Sequence, residues 1–191
     1  MKGNVDIREI ICPTEYGDII PSDITLSAGV KEFYEKGRES LLKEALSDIG
    51  DEYDYIIIDT PPALNILTIN AYVASDYIIV PMSSEILSLV GLTQLKETVD
   101  SVRLSLNPQI RILGILLTKF NSRTRLANEV KEMAESVALQ MDTALFDNKI
   151  RNSVSVSEMP AHGMSIFKYA PRSKPAEDYL CFVREVIERI G

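Results

Sequence analysis

The chain has 191 residues, 46% hydrophobic and 25% charged, with a formal net charge of −8. This length makes one sizeable core the default. The acidic balance excludes a surface that coats nucleic acid as a whole, which needs a net basic footprint, and leaves room only for a local basic patch. Cys12 and Cys181 lie near opposite ends of the chain, without CxxC spacing or a histidine cluster. They read as reduced, structural thiols and not as a metal site or a disulfide framework. There is no apolar stretch of about 18 residues and no basic segment followed by an apolar one at the N-terminus, so a soluble, cytoplasmic protein with no membrane contact is expected.

In chain order, apolar runs rich in Ile and Val occupy residues 18–21, 55–59, 77–81 and 110–118, each closed by a turn or polar signal. They read as buried strands. Between them lie helical spacings, Leu41, Leu42, Ala45, Leu46 and Ile49, then Leu87, Val90, Leu95, Val99 and Val102. Further on, residues 125–138 predict an exposed amphipathic helix, residues 143–146 a short strand, and residues 175–190 a closing helix. Pro175 sits in its first turn with Glu177 and Asp178, where the helix dipole favours acids. Alternating strands and helices predict an α/β fold, a mostly parallel sheet covered by helices on both faces. No repeat, linker or low-complexity tract marks a boundary, so residues 1–191 are expected to form a single domain.

Ligands of an open parallel sheet bind beyond the carboxyl ends of its strands, so the polar residue that ends an apolar run is the first place to look. Asp59, after Tyr55-Ile56-Ile57-Ile58, is such a residue. A carboxylate there can hold a water of a magnesium shell, because that ion keeps several waters and takes few protein oxygens. Pro61 and Pro62 then deny the backbone an immediate helix and stiffen the loop. On pattern alone, a turn former or helix cap explains an aspartate at a strand end equally well.

The stretch from Tyr53 through Asp59-Thr60-Pro61-Pro62-Ala63-Leu64 resembles the Walker B and switch II region of ParA/Soj-type partition ATPases. The resemblance continues in order through Leu67-Thr68-Ile69-Asn70-Ala71, Ile79-Val80-Pro81, Leu89-Val90-Gly91-Leu92, Gly114-Ile115-Leu116-Leu117-Thr118, Arg123-Thr124-Arg125-Leu126, Ser157-Glu158-Met159-Pro160-Ala161-His162-Gly163 and Tyr169-Ala170-Pro171-Arg172-Ser173-Lys174. It implies a P-loop NTPase-like fold and an ATPase that dimerises around ATP and magnesium, binds DNA non-specifically and works with a ParB-like partner in chromosome or plasmid segregation. In that picture Asp59 supports magnesium through water, Thr60 and Pro61 belong to a switch that senses the γ-phosphate, and Asn121, after Lys119 and Phe120, lies near the adenine.

Members of that family open with a strand and a glycine-rich KGGxGK[ST] loop whose backbone amides cradle phosphate. In these 191 residues no glycine is followed by lysine, and Lys36-Gly37-Arg38-Glu39-Ser40 lacks the second glycine and the preceding apolar strand. No counterpart of the family's switch I aspartate precedes Asp18. The resemblance therefore covers the part of the family after the phosphate loop and switch I, and ATP binding by this chain alone is not expected. It also implies an absent strand beside residues 55–58. Those residues and residues 77–80 must then close on each other, take a strand from another chain, or stay unpaired.

The resemblance places DNA contacts among later arginines, with Arg123 in a matching block and Lys119 and Arg125 beside it. Lys149, Arg151, Lys168, Arg172 and Lys174 form a second basic group in an otherwise acidic chain. Lys119, Arg123, Arg125 and Arg151 are the expected DNA contacts, and nucleoid association follows if they act. Val154-Ser155-Val156 stands where many relatives carry a further arginine. His162 has no nucleophile motif beside it and reads as a loop-structuring residue. A non-enzymatic module that binds full-length partition proteins or DNA is the alternative reading.

Overall fold

Contacts divide the chain into residues 1–76 with 98–110, and residues 77–97 with 111–191; the computed structural model describes residues 6–22 and 38–191. Lys36 and Gly37 lie outside the described residues. In the first unit Asp6 caps a 3-10 turn at Ile7–Ile10 by accepting from the Arg8 amide (2.9 Å), and the Arg8 guanidinium donates to Glu52 (2.6 Å). Strands β1 (Cys12–Thr14) and β2 (Gly17–Ile19) pair antiparallel around Gly17, whose φ of +125° suits glycine. The expectation of a buried parallel strand at residues 18–21 is thereby corrected: β2 is exposed along its length and belongs to a hairpin. A partner two residues away closes at far smaller entropic cost than a distant one.

Helices α1 (Leu41–Ser47) and α2 (Ile66–Ala74) follow. The sequence patterns expose the first and hide the second, which is buried nearly all round. Asn70 joins them: its buried amide accepts from the Leu42 amide (3.1 Å) and donates to the carbonyls of Arg38 (2.8 Å) and Ile66 (3.0 Å). Buried Asn107 donates to the carbonyls of Tyr72 (3.0 Å) and Ser75 (2.8 Å) at the end of α2. Carbonyls at a helix terminus have no partner within the helix, and here a side chain supplies it.

Residues 55–58 correct a second expectation. Among the described residues they pair with no strand and form no backbone hydrogen bond. Tyr55 is 60%, Ile56 42% and Ile57 93% exposed. Apolar, β-branched composition makes a run fit a pleated surface, but it creates a strand only where a neighbouring backbone accepts the pairing.

In the second unit β3 (Tyr77–Ser83) and β4 (Arg111–Thr118) pair in parallel, Tyr77 opposite Arg111 and Ser83 opposite Thr118, with an irregularity between Ile78 and Ile79. The chain between them includes α3 (Ile86–Ser105), which realises the expected helical spacing. Beyond β4, single parallel bridges at Leu145 and Arg151 extend the ladder, so the strand expected at residues 143–146 is one bridge. Helix α4 (Arg125–Gln140) buries Ala127, Val130, Ala134 and Ala138 and is amphipathic as its sequence predicts. Short helices α5 (Val154–Glu158) and α6 (Ile166–Tyr169) lead to α7 (Lys174–Ile190). Leu116, Phe146 and Ile150 form a core against Ile79, Leu113, Tyr179, Phe182 and Val186.

Arg189 fastens α7 to this core. Its guanidinium donates to the carbonyls of Leu113 (3.0 Å) and Leu145 (2.7 Å) and to Glu185 (2.7 Å), and lies 4.1 Å from the Phe146 ring centroid. Gly114 makes the space. A Cβ there would stand 2.6 Å from both the Arg189 Nη1 and the Phe146 ring. Gly114→Ala is expected to destabilise the protein by about 1–3 kcal/mol, as overpacking does, measured as a lowered urea midpoint; an unchanged midpoint would show that ring and guanidinium move aside freely.

Candidate functional site

The turn after residues 55–58 is anchored from its far side. Asn65 caps α2 by accepting from the Leu67 amide (2.9 Å), its own amide donates to the Ala63 carbonyl (3.0 Å), and the Thr68 hydroxyl donates to the same carbonyl (2.7 Å). Asp59, Thr60, Pro61 and Pro62 are exposed ahead of this anchor. Among the described residues the Asp59 carboxylate has no hydrogen-bond or ion-pair partner, which suits a water-mediated magnesium contact. No group of three or more His, Cys, Asp or Glu among the described residues could hold a metal.

A phosphate cradle is a different matter. It needs helix N-terminal amides that point at the ligand and are still free. The helices opening at Ile66, Arg125 and Lys174 satisfy such an amide themselves, through Asn65, Thr124 and Ser173. Those opening at Leu41, Val154 and Ile166 have no side-chain cap, and none of them follows a glycine-lysine loop.

Within the second unit, the chain leaves β4 at Lys119 in the left-handed region, φ +50°. The Phe120 amide then donates to the Ile150 carbonyl (3.0 Å), and the Asn152 amide to the Phe120 carbonyl (3.2 Å). This pairing brings residues 119–121 beside residues 150–152, so Lys119, Asn121 and Arg151, scattered in the sequence, come together. Asn121 Oδ1 accepts from the Arg123 amide (3.2 Å), and the Thr124 hydroxyl donates to the Asn121 carbonyl (3.0 Å). An Asx turn followed by a threonine cap thus presents Arg123 at the mouth of α4.

The basic residues differ in what holds them. Lys119 and Arg123 are exposed and have no acidic partner among the described residues. Arg125 is 93% exposed and pairs with Glu129 (2.7 Å) in open solvent, an interaction of little net strength. Lys149 donates to the Asp147 carbonyl (2.8 Å) and lies 5.9 Å from the Phe120 ring centroid. Arg151 is fully engaged, its Nε and Nη2 donating to the two oxygens of Asp178 (2.6 and 2.5 Å) while its amide donates to the same carboxylate (3.1 Å). That fork spans 27 residues and has no signal in the sequence. His162 stacks on Tyr169 (5.1 Å between centroids, 22° between planes) beside Gly163 at φ +58°, a loop-building role.

Both carboxylates that α7 turns toward residues 147–151 are perturbed. Burial pushes Asp178 up, but the hydrogen bonds and charge of Arg151 outweigh it and leave the group below its ordinary value. Glu185 is also raised by burial and brought below its ordinary value by the amides of Asn148 and Asp147, the Asn148 side chain and the charge of Arg189. The hydrogen bond from Arg151 to Asp178 raises the guanidinium pKa in turn.

No helix among the described residues is long and apolar enough to cross a membrane. The fold is that of an α/β protein related to P-loop NTPases. A family model described as an AAA domain matches residues 1–112. The chain is 39% identical over 186 residues to the chromosome partitioning protein ParA of Myxococcus xanthus, covering 96% of this chain and 65% of that one. It is 41% identical over 186 residues to the sporulation initiation inhibitor protein Soj of Bacillus subtilis, covering 96% and 72%. Among solved structures, a plasmid partition protein of Borrelia burgdorferi bound to AMPPNP superposes with a TM-score of 0.78 at 25% identity, over 97% of this chain and 71% of that one. The chain belongs to the ParA/Soj family of partition ATPases. It spans roughly two thirds of the length of these relatives, 65% and 72%.

Folded-state values below the ordinary ones mean that Asp178 and Glu185 stabilise the fold fully above the unfolded carboxylate values, about 4, and that this contribution is lost as pH falls through the lowered values. Urea midpoints are expected to drop below about pH 4, and the drop should be shallower in Asp178→Asn; an equally steep drop in that variant would remove Asp178 from the acid limb.

Proposed function

We propose that this chain acts in DNA segregation as the magnesium-side and DNA-facing portion of a ParA/Soj-type ATPase, and that by itself it neither binds ATP tightly nor hydrolyses it. The observation that carries the DNA reading is the loop at residues 119–125: exposed cations on a rigid turn, within a chain of net charge −8. Lys119, Arg123 and Arg125 contact phosphate there, and Arg151 positions the neighbouring segment through Asp178. Such contacts read no bases and depend strongly on salt.

Asp59 holds magnesium through water, and Thr60 and Pro61 line the γ-phosphate side, when the phosphate-binding elements are supplied. Phosphoryl transfer depends on positioning and charge neutralisation. These 191 residues offer neither a glycine-lysine loop nor a self-evident substitute, and an unpartnered Asp59 repels a triphosphate. A homodimer, a ParB-like partner and a cytoplasmic, nucleoid-associated location belong to the same proposal, as the resemblance to the family implies.

Titration with ATP and magnesium is expected to give no saturation at micromolar nucleotide, and a micromolar Kd would defeat the reading. For DNA, the double variant Arg123→Glu and Arg125→Glu should weaken binding at low salt and reduce the slope of log K against log salt by about 1 per arginine. Unchanged affinity and slope would move the DNA contact elsewhere.

A further inference from the structure

Arg151 and Asp178 form a neutral pair beside the basic loop. The bridge between Phe120 and Arg151 places the arginine next to Lys119 and Asn121, and its side chain is 42% exposed while that of Asp178 is only 11% exposed. The Asp178 carboxylate takes three donors from this one residue, the amide, Nε and Nη2. A phosphate and a carboxylate compete for a guanidinium, because both accept its planar fork of donors. The pair of Arg125 with Glu129 is different: with Arg125 93% exposed, a phosphate can displace that carboxylate at little cost. Taking Arg151 away from Asp178 leaves a shielded carboxylate without its counter-ion, which is costly.

A cation adds to DNA affinity by displacing counterions from a phosphate, and a guanidinium already neutralised by a carboxylate displaces none. We infer that Asp178 withholds Arg151 from DNA, so that the segment beside residues 119–125 carries a latent phosphate contact that loss of this one carboxylate opens. Asp178 thereby sets how tightly the chain holds DNA, although it touches none itself. This rests on the reading of residues 119–125 as the DNA contact, and adds to it an acidic residue on α7 that keeps binding weaker than the cations on that face allow.

The test is a double-mutant cycle in the full chain, read by anisotropy as binding of a fluorescent random-sequence DNA duplex over a salt series. Asp178→Asn, which keeps an acceptor for the Arg151 amide, is expected to steepen the fall of log K with log salt by about 1 and to raise affinity about tenfold at low salt. Asp178→Ser, with its folded state checked by a urea transition, gives a second measurement of the same slope. Arg151→Gln alone should leave the slope unchanged, and in the Asp178→Asn background it should remove the whole gain. An unchanged slope in both Asp178 variants, or a gain that survives Arg151→Gln, overturns the inference. So does a slope lowered by Arg151→Gln alone, which would make Arg151 a direct contact. Failure of the underlying DNA reading has a different sign, unchanged binding by the Arg123→Glu and Arg125→Glu double variant.

Discussion

The second unit depends on one guanidinium. Arg189 meets the carbonyls of Leu113 and Leu145, which lie on β4 and on the bridge beside it, and so ties two adjacent backbones to the last turn of α7. It can do so only because Gly114 leaves room for it and for the Phe146 ring. Phe146 in turn packs edge-on to Phe182 (5.0 Å, 84°). Glu185, one turn earlier on α7, accepts from Arg189 and from the amides of Asp147 and Asn148. A charge pair this shielded is costly to break, because each member is left without its partner away from water.

From that anchor the basic site follows. Glu185 and Asp178 lie on the same helix and hold residues 147–151, and the backbone pairing of Phe120 with Ile150 and Asn152 passes the constraint to the loop at residues 119–125. Arg151 therefore works as a fastening, and Lys119 and Arg123, ahead of and beside the α4 cap, are left exposed. The acids that tie the segment down sit on α7, so the loop keeps a basic surface in an acidic chain.

Period and composition made β3, β4, α1, α3, α4 and α7 legible, because each is a continuous run whose apolar residues repeat at the spacing of its own geometry. The same reading failed at residues 18–21 and 55–59, where strand formation depends on which backbone lies alongside, and nothing in a run of isoleucines specifies that. Helix α2 escaped because buried Thr68 and Asn70 interrupt its pattern, although Asn70 is what joins it to α1. Asp59, Thr60 and Pro61 stand out in the sequence by their place after an apolar run and by the family pattern, and the structure shows them exposed. The commitment of Arg151 to Asp178 was not, since it is a tertiary contact across 27 residues.

Under the proposed function, these 191 residues alone do not turn over ATP. Phosphate release from ATP by the purified full chain, with magnesium and DNA present, tests it most directly. The account predicts a rate equal to that of ATP without protein; turnover above that background, abolished by Asp59→Ala, would contradict it.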